Sequence, residues 1–310
     1  MINIKIDLPN GFLEEEERCG YLVSKKMKEV WAVQLDLLAE FDRVCKKHNI
    51  KYFASGGTAL GAIRHKGFIP WDDDMDLMMF RDDYNKLLEI GPKEFEQPYF
   101  LQNKFTDPCG NETISKLRNS DTTALLKTEV NSCFNYNKGI FIDIFPLDAF
   151  PDNEDERITF LNELAQKKDR FFKIGRSIGI YSDSLQPIER LTKHFLHKIL
   201  WIKRKRNLHK YQQEYREYMK LCSKYNHTQT ERLMCLEFTY DQNDHKCTAD
   251  LQETIYVDFE FTKIPIGKNF QHGLITKYGN DYMIFKKGAS MHSEIFFDTD
   301  NSYKNYISKF

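Results

Sequence analysis

Residues 56–80 read GGTALGAIRHKGFIPWDDDMDLMMF, and they constrain the fold more tightly than any other stretch. Four aspartates, Asp72, Asp73, Asp74 and Asp76, crowd into five positions and run straight into an apolar segment. Alternate side chains of a strand share a face, so Asp74 and Asp76 point one way while Met75, Leu77 and Met79 point the other. Asp72 is in phase with that acid pair and Asp73 is not. Carboxylates held a few ångströms apart repel, and each is pushed towards protonation unless a cation lies between them. A divalent ion resolves the conflict, and an all-oxygen ligand set suits Mg²⁺ or Mn²⁺ better than zinc. The competing reading is a solvated loop in which Asp72 and Asp73 face water and Asp76 alone opens a strand. An EF-hand loop starting at Asp72 fits poorly, because Leu77 stands where that loop needs glycine and Asp83 where it needs glutamate.

Outward from this stretch the pattern is mixed α/β. Upstream, Val23, Met27, Val30, Trp31, Leu37, Leu38, Phe41 and Val44 recur at helical intervals and predict a helix over 21–48, with Asn49 as its stop. A short strand over 50–54 leads into Gly56-Gly57 and a helix that Thr58 is expected to cap. Glycine lets backbone approach a phosphate closely, and the start of that helix offers free N–H groups and the positive end of its dipole. A tight strand-to-helix turn would explain the glycine pair equally well. Gly67 and Pro70 end the helix before a strand over 74–80. Further strands are predicted over 99–102, 114–118, 122–126 and 139–145. In GIFIDIFPLD (139–148), Asp143 is the lone charge of the predicted strand, and burying it unpaired would cost several kcal/mol. It calls for a cation or for hydrogen bonds from a neighbouring loop.

After Pro146 long charged helices are predicted over 154–173 and, with breaks, 187–222. Strand character returns at 254–259 and 261–266, followed by a short helix over 270–278. The expected organisation is therefore a catalytic core with its N-terminal helix over 1–150, a helical accessory region over 151–250, and a segment over 251–310 that returns to the core.

Gly-Gly after a strand, a helix, an Asp-x-Asp strand and a further Asp on a later strand together resemble the nucleotidyltransferase-fold pattern, a mixed sheet of α+β type. More narrowly, FASGGTALGAIRHKGFIPWDDDMDLMM (53–79) is similar to the signature of the LicD family, which includes the phosphocholine transferases of bacterial glycans and is related to fukutin-related protein. The resemblance continues through ISKLRNSDTT (114–123) and GIFIDIFPLD, and more loosely through FTKIPIGKNFQHGLITKYGNDYM (261–283). It covers roughly residues 30–150 strongly and 254–285 weakly, and leaves the helical region unmatched.

Members of that family transfer a phospho-alcohol from a CDP-alcohol to a sugar hydroxyl and release CMP. The resemblance implies that Asp74, Asp76 and Asp143 are catalytic and hold the metal, with Asp72 a peripheral ligand or a shaper of the loop. Gly56, Gly57 and Thr58 would face the donor. Lys116 and Arg118, alternating on one strand, are expected to meet the donor phosphates; surface-exposed basic residues are the alternative. Arg64 and His65 either face the phosphates or close the turn at Gly67. The family often carries paired histidines near its C-terminus, where this chain has His292 alone, in KKGASMHSEIFFD (286–298). The implied acceptor is a glycan or lipid-linked glycan, such as a teichoic acid or lipopolysaccharide precursor, and choline is the foremost alcohol. A rival enzyme reading keeps the fold and attacks a nucleoside triphosphate with release of pyrophosphate. A third makes the chain a non-catalytic metal-binding module.

Composition agrees with such an enzyme. With 45 Lys and Arg against 46 Asp and Glu over 310 residues, no overall field attracts nucleic acid, and none is expected as a partner. Seven cysteines without a C-x-x-C pair predict reduced thiols. The first residues lack a signal-peptide pattern and no apolar run reaches the roughly 20 residues of a membrane span, so a cytoplasmic location is expected. One stretch bears on membranes. KHFLHKILWIKRKRNLHK (193–210) holds seven Lys or Arg and no acid, and with Ile188 and Leu191 it forms a helix-spaced apolar stripe over 188–210. Docking at the anionic inner face of a membrane is one reading; a packed helix with a solvated basic face is the preferred one.

Overall fold

The computed structural model describes residues 2–110, 113–126, 136–178, 180, 193–238, 245–286 and 295–307, and at 126, 193–201, 203, 204 and 307 the backbone alone. An N-terminal hairpin of β1 (Glu16–Arg18) and β2 (Tyr21–Val23) precedes α1 (Lys25–Lys47). The helix begins after the predicted position 21 because Tyr21–Val23 pair as a strand and Ser24 caps it, its hydroxyl accepting from the Met27 amide. One face of α1 buries Val30, Trp31, Val33, Leu37, Leu38, Phe41 and Val44 in the main core. Gln34 and Asp36 are buried on the same helix. Asp36 is satisfied by the Lys5 and Ile6 amides and the Tyr99 hydroxyl.

Next come β3 (Phe53–Ala54), α2 (Gly56–Arg64), β4 (Asp76–Phe80), α3 (Arg81–Glu94), β5 (Tyr99–Gln102), β6 (Ser115–Asn119), β7 (Thr123–Leu126) and β8 (Ile140–Ala149). The predicted strand over 50–54 shrinks to its last two residues. The strand expected from Asp74 starts at Asp76, so Asp74 belongs to the loop. Strand β8 outruns its predicted end, continuing through Pro146 to Ala149. Helix α3 has no counterpart in the sequence reading, since Gly91 and Pro92 break its pattern near the end.

Strand β4 sits between β3, antiparallel, and β8, parallel, in a register that sets Asp76 opposite Asp143. The other edge of β8 takes β6 along its first half, which sets Lys116 opposite Asp143, and β9 (Arg232–Met234) at its end. Between β8 and β9 lie α4 (Glu154–Ser177) and α5 (Lys193–Cys222), which bury an aromatic cluster of Phe160, Phe171, Tyr211, Tyr215 and Tyr218. β10 (Lys246–Cys247) adds to β9, so part of the expected helical region extends the main sheet. The chain closes with the hairpin β11 (Thr254–Phe259) and β12 (Thr262–Gly267), then α6 (Phe270–Tyr278), then β13 (Ile295–Asp298) paired with β7, then α7 (Lys304–Ile307).

A buried ionic group ties the sheet to the helical cluster. Arg81 Nε and Nη2 donate to both Asp148 oxygens at 2.9 and 2.5 Å, and Nη1 donates to Glu237 at 2.6 Å. The Tyr215 hydroxyl donates to the other Glu237 oxygen at 2.6 Å. Each buried acid here has aligned donors. Among the described residues no helix is long and apolar enough to cross a membrane. The side chains of the basic stretch at 193–201, 203 and 204, and all of 188–192, lie outside the described residues.

Candidate active site

The loop before β4 is fixed through its backbone, which leaves its carboxylates to be aimed. Trp31 Nε1 donates to the Asp72 carbonyl at 3.0 Å, and Gln34 Nε2 donates to the Asp73 carbonyl at 2.8 Å. The Asp143 amide donates to the Met75 carbonyl at 2.8 Å. The Asp76 amide donates to the Thr58 hydroxyl at 2.8 Å, and the Ser55 amide donates to the Asp76 carbonyl at 3.0 Å. Thr58 therefore does not cap α2, as the sequence suggested: the helix already starts at Gly56, the cap position is Ser55, and the Thr58 hydroxyl serves Asp76 instead.

One oxygen from each of Asp74, Asp76 and Asp143 lies within 4.8 Å of the other two. The parallel register of β4 and β8 delivers Asp76 and Asp143 side by side, and the loop brings in Asp74. The Asp76 carboxyl is raised well above the usual carboxylate range, first by burial and then by the charges of Asp74, Asp143 and Asp72. Asp143 is also raised by burial, with Lys116 opposing and Asp74 adding to the shift. Lys116 Nζ lies 2.6 Å from Asp143 Oδ1, yet that buried oxygen has no donor in hydrogen-bond geometry. The contrast with Asp148, gripped by both arms of Arg81, separates a structural acid from one left with coordinating capacity.

The glycine pair closes one side. Gly56 has φ +51°, and a Cβ there would fall 2.9 Å from Asp76 Oδ2; a Cβ on Gly57 would fall 2.6 Å from Asp72 Oδ2. Only glycine lets the N-terminus of α2 come this close to the acids. Asp72, Asp73 and Asp74 form a second group of mutually close oxygens, so Asp74 belongs to both groups. The donor set is all oxygen and partly buried, and it suits a hard divalent ion held by Asp74, Asp76 and Asp143 with Asp72 beside them.

The remaining candidates divide. Lys116 joins the cluster through Asp143. Arg118, two residues on, is buried, with Nε donating to Gln102 at 2.5 Å and Nη1 to the Gly139 carbonyl at 2.7 Å, and its guanidinium stacks on Phe141. Arg64 and His65 sit at the far end of α2, roughly 12 Å along its axis from Gly56. There Arg64 donates to the Tyr282 carbonyl, and burial, with Arg64 and Arg18 close by, pushes the His65 imidazole down to about 4. The two join the helix end to the segment around 282–285 and are not among the carboxylates' partners. His292 lies outside the described residues.

Two clefts open to solvent are lined by Gly56. They share Ser55, Gly56, Met78, Lys246 and Lys277. One is walled by apolar side chains such as Leu251, Ile266, Phe270 and Leu274. The other contains Asp76 together with Phe145 and Phe238, whose rings stand edge to face at 5.4 Å. Sequence reading missed Trp31, Gln34, Lys246 and Lys277. The polar Gln34 inside an apolar helical stripe was the one available signal. A further set of close coordinating atoms, on Cys247, Asp250 and His272, is organised around a 2.7 Å contact between His272 Nδ1 and Asp250, the spacing of a hydrogen-bonded pair.

A mixed sheet with an Asp-x-Asp pair at the entry to β4 beside a glycine turn, and a third Asp on the parallel neighbour, defines a nucleotidyltransferase-type site. The family profile described as LicD/FKTN/FKRP, nucleotidyltransferase domain, matches residues 49–174. Over 261 residues the chain is 30% identical to the lipopolysaccharide cholinephosphotransferase LicD of Haemophilus influenzae, covering 83% of this chain and 91% of that protein. Shorter matches, 40% identical over 86 residues and 35% over 79, join it to uncharacterized proteins RP689 of Rickettsia prowazekii and RT0683 of Rickettsia typhi. These cover 27% and 25% of this chain, and 30% and 26% of the two rickettsial proteins. The chain belongs to the LicD family.

Proposed function

We propose that this protein is a metal-dependent transferase that moves a phospho-alcohol, phosphocholine foremost, from a CDP-alcohol to a sugar hydroxyl of a glycan or lipid-linked glycan precursor, with release of CMP. The observation that carries the reading is the convergence of Asp74, Asp76 and Asp143 beside the Gly56-Gly57 turn, in a chain similar over most of its length to a lipopolysaccharide cholinephosphotransferase. A divalent ion held by those carboxylates, Mg²⁺ or Mn²⁺, supplies charge stabilisation to the phosphates of the bond that breaks.

The chain's own residues account for the rest. The N-terminus of α2, brought close by Gly56 and Gly57, offers backbone N–H groups to donor phosphates. Asp143 has a second use: standing in the acid cluster beside the glycine turn, it takes the proton of the attacking acceptor hydroxyl. Lys116, 2.6 Å away, stabilises its ionised form and keeps it placed between Asp76 and β6. Phe145 and Phe238 favour choline among the alcohols, since aromatic faces attract a quaternary ammonium.

A panel of CDP-choline, CDP-ethanolamine, CDP-glycerol and CDP-ribitol, assayed for CMP release with a glycan acceptor and Mg²⁺, tests the reading. CMP release fastest from CDP-choline supports it. Pyrophosphate released from a nucleoside triphosphate would move the chain to the rival nucleotidyltransferase reaction, and metal binding without turnover of any donor would leave a binding module.

A further inference from the structure

Two lysines from outside the family-matched stretch 49–174 line the cleft that contains Asp76. Lys246 comes from β10, and Lys277 from the last turn of α6. Both line both clefts beside Gly56, and they are the only basic side chains among the described residues lining the cleft that contains Asp76. Lys277 is near enough for its charge to favour the ionised form of Asp76. The third nearby ammonium, Lys116, is attached to Asp143.

A basic residue in the last turn of a helix complements its dipole, and that alone would account for Lys277 on α6. It does not account for Lys246, which reaches the same cleft from a strand held on β9 by pairing with Leu233. Two unrelated elements thus bring positive charge to one cleft, the one that contains Asp76. A diphosphate entering there would meet Asp72, Asp74, Asp76 and Asp143, and repulsion between like charges makes cations on the facing wall a requirement of binding.

Building on the function proposed above, we propose that Lys246 and Lys277 hold the phosphate oxygens of the donor, a nucleoside-diphosphate-linked alcohol, so that the segment after residue 245 completes the donor site. The apolar cleft that they border then lies next to the phosphates, where the donor's nucleoside is accommodated.

The test uses the full chain and the variants Lys246→Met, Lys277→Met and Lys277→Arg, titrated calorimetrically with inorganic pyrophosphate and with CDP, each with Mg²⁺. Each methionine variant is expected to bind both probes roughly tenfold or more weakly, the loss typical of one charge-assisted hydrogen bond, and arginine at 277 to recover part of it. Circular dichroism and melting temperature check that the variants are folded. Folded methionine variants that bind pyrophosphate within about twofold of the parent overturn the proposal. A parent that binds pyrophosphate through these lysines yet releases no CMP from any CDP-alcohol refutes the transferase reading and supports the lysine assignment. A parent that turns over CDP-choline, with KM unchanged in both methionine variants, refutes the lysine assignment alone.

Discussion

Replacing Asp76 by asparagine is expected to stabilise this protein when divalent ions are removed. The three coordinating oxygens of Asp74, Asp76 and Asp143 lie within 4.8 Å of one another. At an effective dielectric constant near 20, two unit charges at that separation repel by about 3.5 kcal/mol. Asp76 faces two such neighbours and is partly buried besides, which is why its carboxyl is raised well above the ordinary range. Protonation caps the penalty: a carboxyl held neutral at pH 7 costs at most about 1.36 kcal/mol for each pH unit above 3.9, or about 4 kcal/mol. Asp76→Asn removes that cost while keeping the shape, so a gain of about 1 to 4 kcal/mol is expected in EDTA at pH 7.

The sign follows from proton binding. A carboxyl raised in the folded state holds its proton where the unfolded chain has released it, so the parent suffers no penalty below about pH 4 and a growing one as pH rises. The variant's advantage should therefore widen from pH 5 to pH 7. Saturating Mg²⁺ should reverse the order, because an ion that binds only the folded parent stabilises it by mass action. Urea unfolding at several pH values, with EDTA and with Mg²⁺, reads all three expectations. A variant less stable than its parent in EDTA throughout, together with a parent indifferent to Mg²⁺, would refute the electrostatic reasoning.

Other substitutions probe the supports of the site. Gln34→Leu strips the Asp73 carbonyl of its buried donor and should cost about 1–3 kcal/mol in urea unfolding, with CMP release falling further than the loss of folded protein explains. Gly56→Ala places a Cβ 2.9 Å from Asp76 Oδ2 at a φ of +51°; about 1–2 kcal/mol of backbone strain leaves the fold intact, and the assay should show activity largely lost. Arg81→Met leaves Asp148 and Glu237 buried without their counter-charge and should cost about 3–5 kcal/mol, read as a lower urea midpoint.

Local rules reached the elements that carry the acids and stopped at what holds them. The alternation around Asp76 and the isolation of Asp143 in an apolar run follow from period-two patterning, and the structure places those two side chains on neighbouring parallel strands. The same rules set Asp74 in the strand, although it lies in the loop, because pleat alternation cannot show where pairing begins. Thr58 illustrates a different limit: its type suits a helix cap, and its hydroxyl is instead committed to the Asp76 amide from 18 residues away. Asp148 lies beyond the predicted strand over 139–145, and its partners, Arg81 and Asn226, are 67 and 78 residues distant. The clefts draw Lys246 and Lys277 from another strand and helix, a tertiary convergence that no spacing in the sequence encodes.

The central claim is that Asp74, Asp76 and Asp143 share one divalent ion. Crystals soaked in Mn²⁺ and measured near the manganese absorption edge test it directly. The account predicts an anomalous peak within coordinating distance of an oxygen from each of the three residues, absent from Asp76→Asn crystals treated identically. A peak elsewhere, or none between these carboxylates at saturating Mn²⁺, would contradict it.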